Sequence, residues 1–158
     1  MTRRLLLLLA VSAVLVVAGC GSSSSSGTSK VSHPKTSFVI HAALAFGTFH
    51  HFIYKPFKAG DFSHPFSHKL KIAEAVAAGL FVEHEVKLAL TDAKGSKLLS
   101  HVVAPLTALG GVIALVRSSI KGGHPDTSAI NSADSSIASI KSQSSSAGQP
   151  IQETVGSP

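Results

Sequence analysis

Apolar residues recur along the central part of this chain at spacings of three, four and seven positions, which is the pattern of an amphipathic helix. Between residues 36 and 54 this spacing predicts one helix. Its apolar side would comprise Phe38, Ala42, Ala45, Phe49, Phe52 and Ile53. Pro56 should end the helix, because a proline disfavours the helical conformation in the residue before it. The first predicted element therefore stops at Tyr54.

Three further segments follow the same period. The second helix is predicted to begin at Phe66 or Lys69 and to end at Thr91. Its core face would hold Leu70, Ala73, Ala77, Leu80, Phe81, His84 and Leu88. A third helix is predicted over residues 97–121. A weaker fourth, in which isoleucines alternate with many serines, is predicted to start within residues 124–127 and to end at residue 141.

These segments predict an all-α fold, a small bundle of three main helices plus a weaker fourth, over residues 31–141. Serine dominates on both sides of it. Residues 21–28 have the composition of a flexible Gly/Ser spacer. Residues 142–158 are polar and nearly uncharged, and we predict a disordered tail there.

The N-terminus has the features of an export signal. Arg3 and Arg4 precede an apolar run from Leu5 to Val17. As a helix this run would span about 20 Å, which is short of the roughly 30 Å core of a bilayer. A short apolar segment between basic residues and small residues is typical of a secretory signal peptide.

The signal ends in Val17-Ala18-Gly19-Cys20, which resembles the lipobox of bacterial lipoproteins. The resemblance covers residues 1–20 alone. It implies removal of residues 1–19 and lipidation of Cys20, followed by the spacer up to residue 30. It also implies a location on the outer face of the bacterial cytoplasmic membrane or in the cell envelope. The alternative is an ordinary signal peptide in which the cysteine is incidental.

Charge and cysteine content narrow the function further. Cys20 is the one cysteine in the sequence, so a lipidated chain has none left for a disulfide or a catalytic thiol. The chain carries 14 Lys and Arg against 8 Asp and Glu. The segment from Lys30 to Lys71 contains six lysines and one acidic residue, Asp61. Beside a lipid anchor this bias favours an anionic lipid surface as a partner. Nucleic acid is not expected for an exported chain without a binding motif.

Histidine is the candidate for chemistry, because nine histidines stand against eight acids. His41, His84 and His101 fall inside predicted helices near apolar positions, and helix bundles place haem and metal ligands in this way. These three are candidate ligands. No sequence motif predicts a cofactor, and we therefore expect a bundle without one. The alternative is a bundle that binds haem or a transition metal. A buried histidine bonded to a backbone carbonyl is the commoner arrangement.

No other catalytic pattern is present. The sequence has no Gly-x-Ser-x-Gly motif, no phosphate-binding glycine loop and few acids, so we do not expect an enzyme. Residues 36–54 and 98–116 also approach the length of membrane-spanning helices. We favour a globular bundle, because both contain polar residues and the helix between them carries three glutamates. The sequence thus predicts a membrane-tethered lipoprotein whose helical domain is a structural or interaction module.

Overall fold

The structure is a computed structural model that describes residues 33–64 and 68–158. These residues form an all-α fold, with four helices packed as a bundle and no strand among them, which confirms the predicted fold class. The elements are α1 (Pro34–Phe49), a π-helix (His50–Tyr54), α2 (Lys55–Ala59), α3 (Lys69–Lys94), a 3-10 turn (Lys97–Leu99), α4 (Ser100–Lys121) and α5 (Thr127–Ser146). The predicted signal peptide, Cys20 and the spacer lie outside the described residues.

Helix α3 is the central element, because it packs against both α1 and α4, and α4 in turn packs against α5. Pro34, at the start of α1, lies beside Gly95, just after the end of α3, so these two helices are antiparallel. Arg117 of α4 donates a hydrogen bond of 2.6 Å to Glu83 of α3 and ties the second pair together. The largest fully buried side chains are Phe38, Phe46, Phe49, Ile53, Leu99, Leu106, Leu109, Ile113, Ile120, Ile130, Ile137 and Ile140.

The chain does not leave the helical conformation at Pro56, where the sequence predicts a stop. Instead α1 passes through one π-helical turn into α2, which continues to Ala59. Pro56 lies directly after the π-helical turn, so its missing N–H interrupts the backbone hydrogen bonds where the helical pattern changes. Beyond α2 the connector folds back over the core, and Phe62 is buried, as its aromatic content suggests.

The buried face of α3 differs from the predicted one. It consists of Ala75, Ala78, Gly79, Val82, Glu85, Val86, Ala89 and Ala93. Leu70 and Leu80 are 80% and 54% exposed, and His84 is exposed as well. Small residues lie inside because α3 is covered on two sides, and the aromatic side chains of α1 occupy the core that larger residues of α3 would fill. The predicted core face of α3 is therefore wrong.

The C-terminal segment also differs from the sequence prediction of a disordered tail over 142–158. Helix α5 continues to Ser146, and Ser144 is fully buried. Asp126 caps the start of α5 by accepting a hydrogen bond of 2.9 Å from the amide of Ala129. Beyond the helix the extended tail lies on α1, with Ile151 buried. The amino-acid composition of the tail did not indicate that it would be ordered on α1. Most of its polar contacts are made by backbone groups and by one glutamate.

One helical stretch of the described residues, Lys97–Lys121, is long and apolar enough to cross a membrane. Its fully or nearly fully buried apolar positions form one face: Leu99, Val102, Leu106, Leu109, Ile113, Val116 and Ile120. That face packs against α3 and α5. The core helix of a soluble bundle meets the same criteria of length and composition, so this stretch is weak evidence for a membrane span.

Candidate functional site

The C-terminal tail crosses the surface of α1 in an extended conformation. The amide of Thr154 donates a hydrogen bond of 3.0 Å to the carbonyl of Ala43. The amide of Gly156 donates one of 2.9 Å to Oγ1 of Thr48. Gly47 lies between these two contacts and is buried under the tail. We call residues 149–156 together with the α1 surface beneath them the seam.

A tight turn after α5 directs the tail toward α1. Gly148 has a φ of +73°, a conformation that residues with a side chain rarely adopt. The amide of Gln149 then donates a hydrogen bond of 2.9 Å to the carbonyl of Ser144, and the hydroxyl of Ser144 donates back to the carbonyl of Gln149. These reciprocal bonds fix the direction in which the tail leaves the helix.

A charged network holds the tail from the side of α5. The imidazole of His50 lies between two carboxylates, with Nδ1 2.7 Å from Oε2 of Glu153 and Nε2 2.9 Å from Oδ1 of Asp134. Lys141 donates a hydrogen bond of 2.6 Å to the other oxygen of Glu153. The network therefore joins three parts of the chain: the π-helix, α5 and the tail.

Both ring nitrogens of His50 are used in this network. Each of them lies within hydrogen-bond distance of a carboxylate oxygen, which can only accept when the carboxylate is ionised. Burial raises the pKa of Glu153, but hydrogen bonds and charge from Lys141 and His50 outweigh burial and bring it below the usual 4.5. The negative charge of Asp134, with partial burial and a hydrogen bond, raises the pKa of Tyr54.

The π-helical turn places His50 in this position. A π-helix carries an extra residue within its turn and occurs frequently at functional sites. The ring of His50 packs edge-on against Phe49 and Tyr54, at centroid distances of 5.6 Å and 5.7 Å. His51 is exposed and makes an edge contact with Phe52 instead. The two adjacent histidines thus diverge, and one of them belongs to the network.

An apolar cleft of about 300 Å³ lies along the seam. It is lined on the α1 side by Val39, Ile40, Ala43 and Leu44, and on the tail side by Pro150, Gln152 and Thr154. Ile40 is 52% exposed, and Val155 of the tail is 49% exposed. The tail therefore covers part of the apolar surface of α1 and leaves the rest open to solvent.

A second polar cluster lies between α1 and α3. Nδ1 of His41 donates a hydrogen bond of 2.7 Å to Glu85, which is almost fully buried. On the other side of the ring, Nε2 is 3.9 Å from Oδ2 of Asp92. That oxygen is buried without a hydrogen-bond partner. Burial raises the pKa of Asp92, although the nearby His41 partly opposes the increase.

The three histidines proposed as ligands are not brought together. His41 faces Glu85, His84 is exposed on α3, and Nε2 of His101 lies 3.2 Å from the carbonyl of Gln143. Within residues 33–64 and 68–158, no three His, Cys, Asp or Glu side chains are arranged to hold a metal ion. No observation in this part of the chain favours the haem or metal alternative.

Sequence reasoning missed His50 and Glu153, the two residues that connect the tail to the bundle. One signal was available, because Glu153 is the single acid between residues 142 and 158. The partner itself was not predictable, since His50 is 103 positions away and its orientation depends on the π-helical turn.

A pocket of about 410 Å³ lies at the opposite end of the bundle from His33. It is lined by Lys69, Ile72, Ile120, Lys121, Gly122, Gly123 and His124. The described part of the chain includes every Asp and Glu, and none of them forms an ion pair with Lys69 or Lys121. This basic end therefore combines apolar walls with lysines that have no carboxylate partner.

Comparison with known proteins identifies no relative. No protein-family model matches the chain, and no curated protein or solved structure matches it. The class of the protein therefore follows from the fold alone, and any function must be argued from the seam and the basic end.

Proposed function

We propose that this protein is an exported lipoprotein whose helical domain is an interaction module without catalytic activity. The lipobox-like sequence supports the tether, with Cys20 carrying the lipid on the outer face of the cytoplasmic membrane or in the cell envelope. Two acyl chains on one residue suffice for stable anchoring. The helical domain is then a bundle presented to soluble or wall-attached partners.

The seam is the surface that supports binding best. The observation that carries this proposal is the apolar cleft beside exposed Ile40 and Val155, on a face where the chain's own tail already packs. Exposed apolar residues that line a cleft commonly mark a contact site. The partner that suits this cleft is a protein segment with apolar side chains, which would insert next to Leu44.

Site-specific photo-cross-linking in the producing cells tests this role. A photoreactive amino acid at position 40 should give one reproducible cross-linked species, and Leu44→Glu should abolish it, since a charge would enter the cleft. Position 115 is the matched control, because Leu115 is 62% exposed on α4, away from the seam. Identical products from positions 40 and 115 would count against the seam as a binding surface.

The tether has its own test. Cys20→Ser removes the sulfur that would carry the lipid, so the variant should leave the membrane fraction and lose the mass of the lipid. The single hydroxyl-for-thiol replacement is conservative, which makes it a clean comparison. A Cys20→Ser protein that remains membrane-bound would point to a signal peptide or a helix as the anchor instead.

The basic end supports a second candidate, contact with an anionic lipid surface. Lysines near such a surface contribute about 1 kcal/mol each. The basic end and His33 lie at opposite ends of α3, which is 26 residues or roughly 39 Å long at 1.5 Å per residue. Sedimentation with vesicles tests it: phosphatidylglycerol vesicles should bind the domain, and the Lys69→Gln, Lys121→Gln double variant should bind less. Equal loss of binding in a Lys87→Gln, Lys94→Gln control would show that net charge alone is responsible.

A further inference from the structure

We propose that residues 149–156 form a strap over α1 that the charged network of His50, Asp134, Glu153 and Lys141 holds closed. When the network loses charge, the strap lifts and enlarges the apolar surface of the seam. This inference rests on the proposed function, because it assigns a form of regulation to the same surface.

Few contacts other than the network hold the strap on α1. The backbone contributes two hydrogen bonds, from Thr154 to Ala43 and from Gly156 to Thr48. Ile151 is its one buried large side chain, while Val155 is half-exposed. A hydrogen bond to a charged group contributes roughly twice as much as a neutral one. The bonds of Glu153 to His50 and Lys141 are therefore the strongest polar contacts of the strap.

Charged groups approach His50 from the tail and from α5. Glu153 approaches from the tail and Asp134 from α5, while Tyr54 of the π-helix interacts with Asp134. Lys141 of α5 reaches the network through Glu153. The ring nitrogens of His50 and the ammonium group of Lys141 thus contact two carboxylates. Adding a proton to Glu153 removes its negative charge and weakens its contacts with His50 and Lys141.

The strap is joined to α5 at Gly148, and it covers an apolar surface that its displacement would expose. Gly148, in its left-handed conformation, connects the strap to α5 and has no other atom within 4 Å of a Cβ built on it. At the far end, Gly156 packs so tightly that a Cβ there would lie 2.5 Å from the ring of Phe81. Lifting the strap would expose Ala43, Gly47 and Phe81 beside the existing cleft. The apolar strip would then extend from α1 to α3.

Hydrogen exchange of the mature full-length chain tests the strap. The amides of Thr154 and Gly156 report closure, and the amide of Ala129 in α5 reports global folding. His50→Gln and Glu153→Gln should each speed exchange at the two strap amides by about tenfold, with Ala129 unchanged. Lys71→Gln is the matched control, because it breaks an exposed ion pair with Glu74 that is remote from the strap.

The pH dependence of the unmodified chain provides a second measurement that needs no variant. Protection of Thr154, corrected for intrinsic exchange, should fall as pH drops through the lowered pKa of Glu153. Constant protection as pH falls from about 7 to about 3 would overturn the strap, as would His50→Gln and Glu153→Gln variants that behave like Lys71→Gln.

The two proposals fail in different ways. If the strap is wrong but the seam binds a partner, cross-linking from position 40 remains specific and does not change in Glu153→Gln. If the seam has no partner but the strap is real, exchange at Thr154 still responds to His50→Gln while position 40 gives no specific product. Increased cross-linking in Glu153→Gln supports both.

Discussion

Gly47 lies directly beneath the backbone of Thr154 where the tail crosses α1. A Cβ at position 47 would be 2.8 Å from the nitrogen of Thr154 and 2.6 Å from its carbonyl carbon. Real Cβ atoms do not approach backbone atoms this closely, so a side chain at this position and the observed path of the tail exclude each other. The helix surface is thus shaped to receive the tail.

Gly47→Ala should therefore displace the tail from α1. We expect faster hydrogen exchange at Thr154 and Gly156, while the helices remain folded by circular dichroism. Gly111→Ala is the control, since no atom lies within 4 Å of its added Cβ. That control should gain about 0.5–1 kcal/mol from the better helix propensity of alanine. A Gly47→Ala protein with a protected tail would show that the tail follows another path.

The buried face of α3 predicts opposite effects for two apolar positions. Ala78 is fully buried, so Ala78→Leu should overpack the core and cost about 1–3 kcal/mol in the free energy of unfolding. Leu80 is half-exposed, so Leu80→Ala should change stability by less than about 0.5 kcal/mol. Urea unfolding followed by circular dichroism measures both. Reversed sensitivities would restore the face predicted from the sequence.

The same comparison shows what the sequence can and cannot specify. Periodicity, prolines and glycines indicated the number of helices and most of their boundaries. In α1 large side chains mark the core, and the predicted face contains Phe38 and Phe49, both of which are buried. In α3 alanines lie on several faces, and only the neighbouring helices decide which face is covered.

The seam was beyond sequence reasoning for a different reason. Its contacts join residues about 100 positions apart, such as Thr48 with Gly156 and His50 with Glu153. On α1 the tail contacts the backbone carbonyl of Ala43 and the space left by the absent side chain of Gly47. Neither feature produces a recognisable pattern in the amino-acid composition. A serine-rich segment of low hydropathy indicates disorder unless a complementary surface exists elsewhere in the fold.

Asp126 is predicted to be important for α5, because this helix has few apolar residues and depends on its cap. Its side chain accepts a hydrogen bond from the amide of Ala129. Asp126→Ala should cost about 1 kcal/mol, whereas Asp126→Asn, which retains an oxygen acceptor, should cost far less. Thermal unfolding compares the two. Equal losses would mean that the carboxylate charge matters more than the cap.

Asp92→Asn should stabilise the domain at neutral pH. Burial raises the pKa of Asp92 above its usual 3.8, so its ionised form is disfavoured in the folded chain. The free-energy cost of keeping Asp92 ionised in the folded protein is absent at a pH below the pKa that Asp92 has in the unfolded chain. This cost appears as pH rises through that pKa and is complete above the higher pKa of the folded protein. We expect a gain of about 1 kcal/mol near pH 7 that disappears below about pH 3.5. Asp61→Asn on the connector is the control, with little change at either pH.

The central claim is that the C-terminal tail is docked on α1 and completes the proposed binding surface. The most direct test is a through-hydrogen-bond scalar coupling between the ¹⁵N nucleus of Thr154 and the ¹³C carbonyl of Ala43, measured by NMR on the mature chain at mildly acidic pH. The account predicts this correlation, with a slowly exchanging Thr154 amide. No correlation, together with random-coil chemical shifts over residues 149–156, would contradict it.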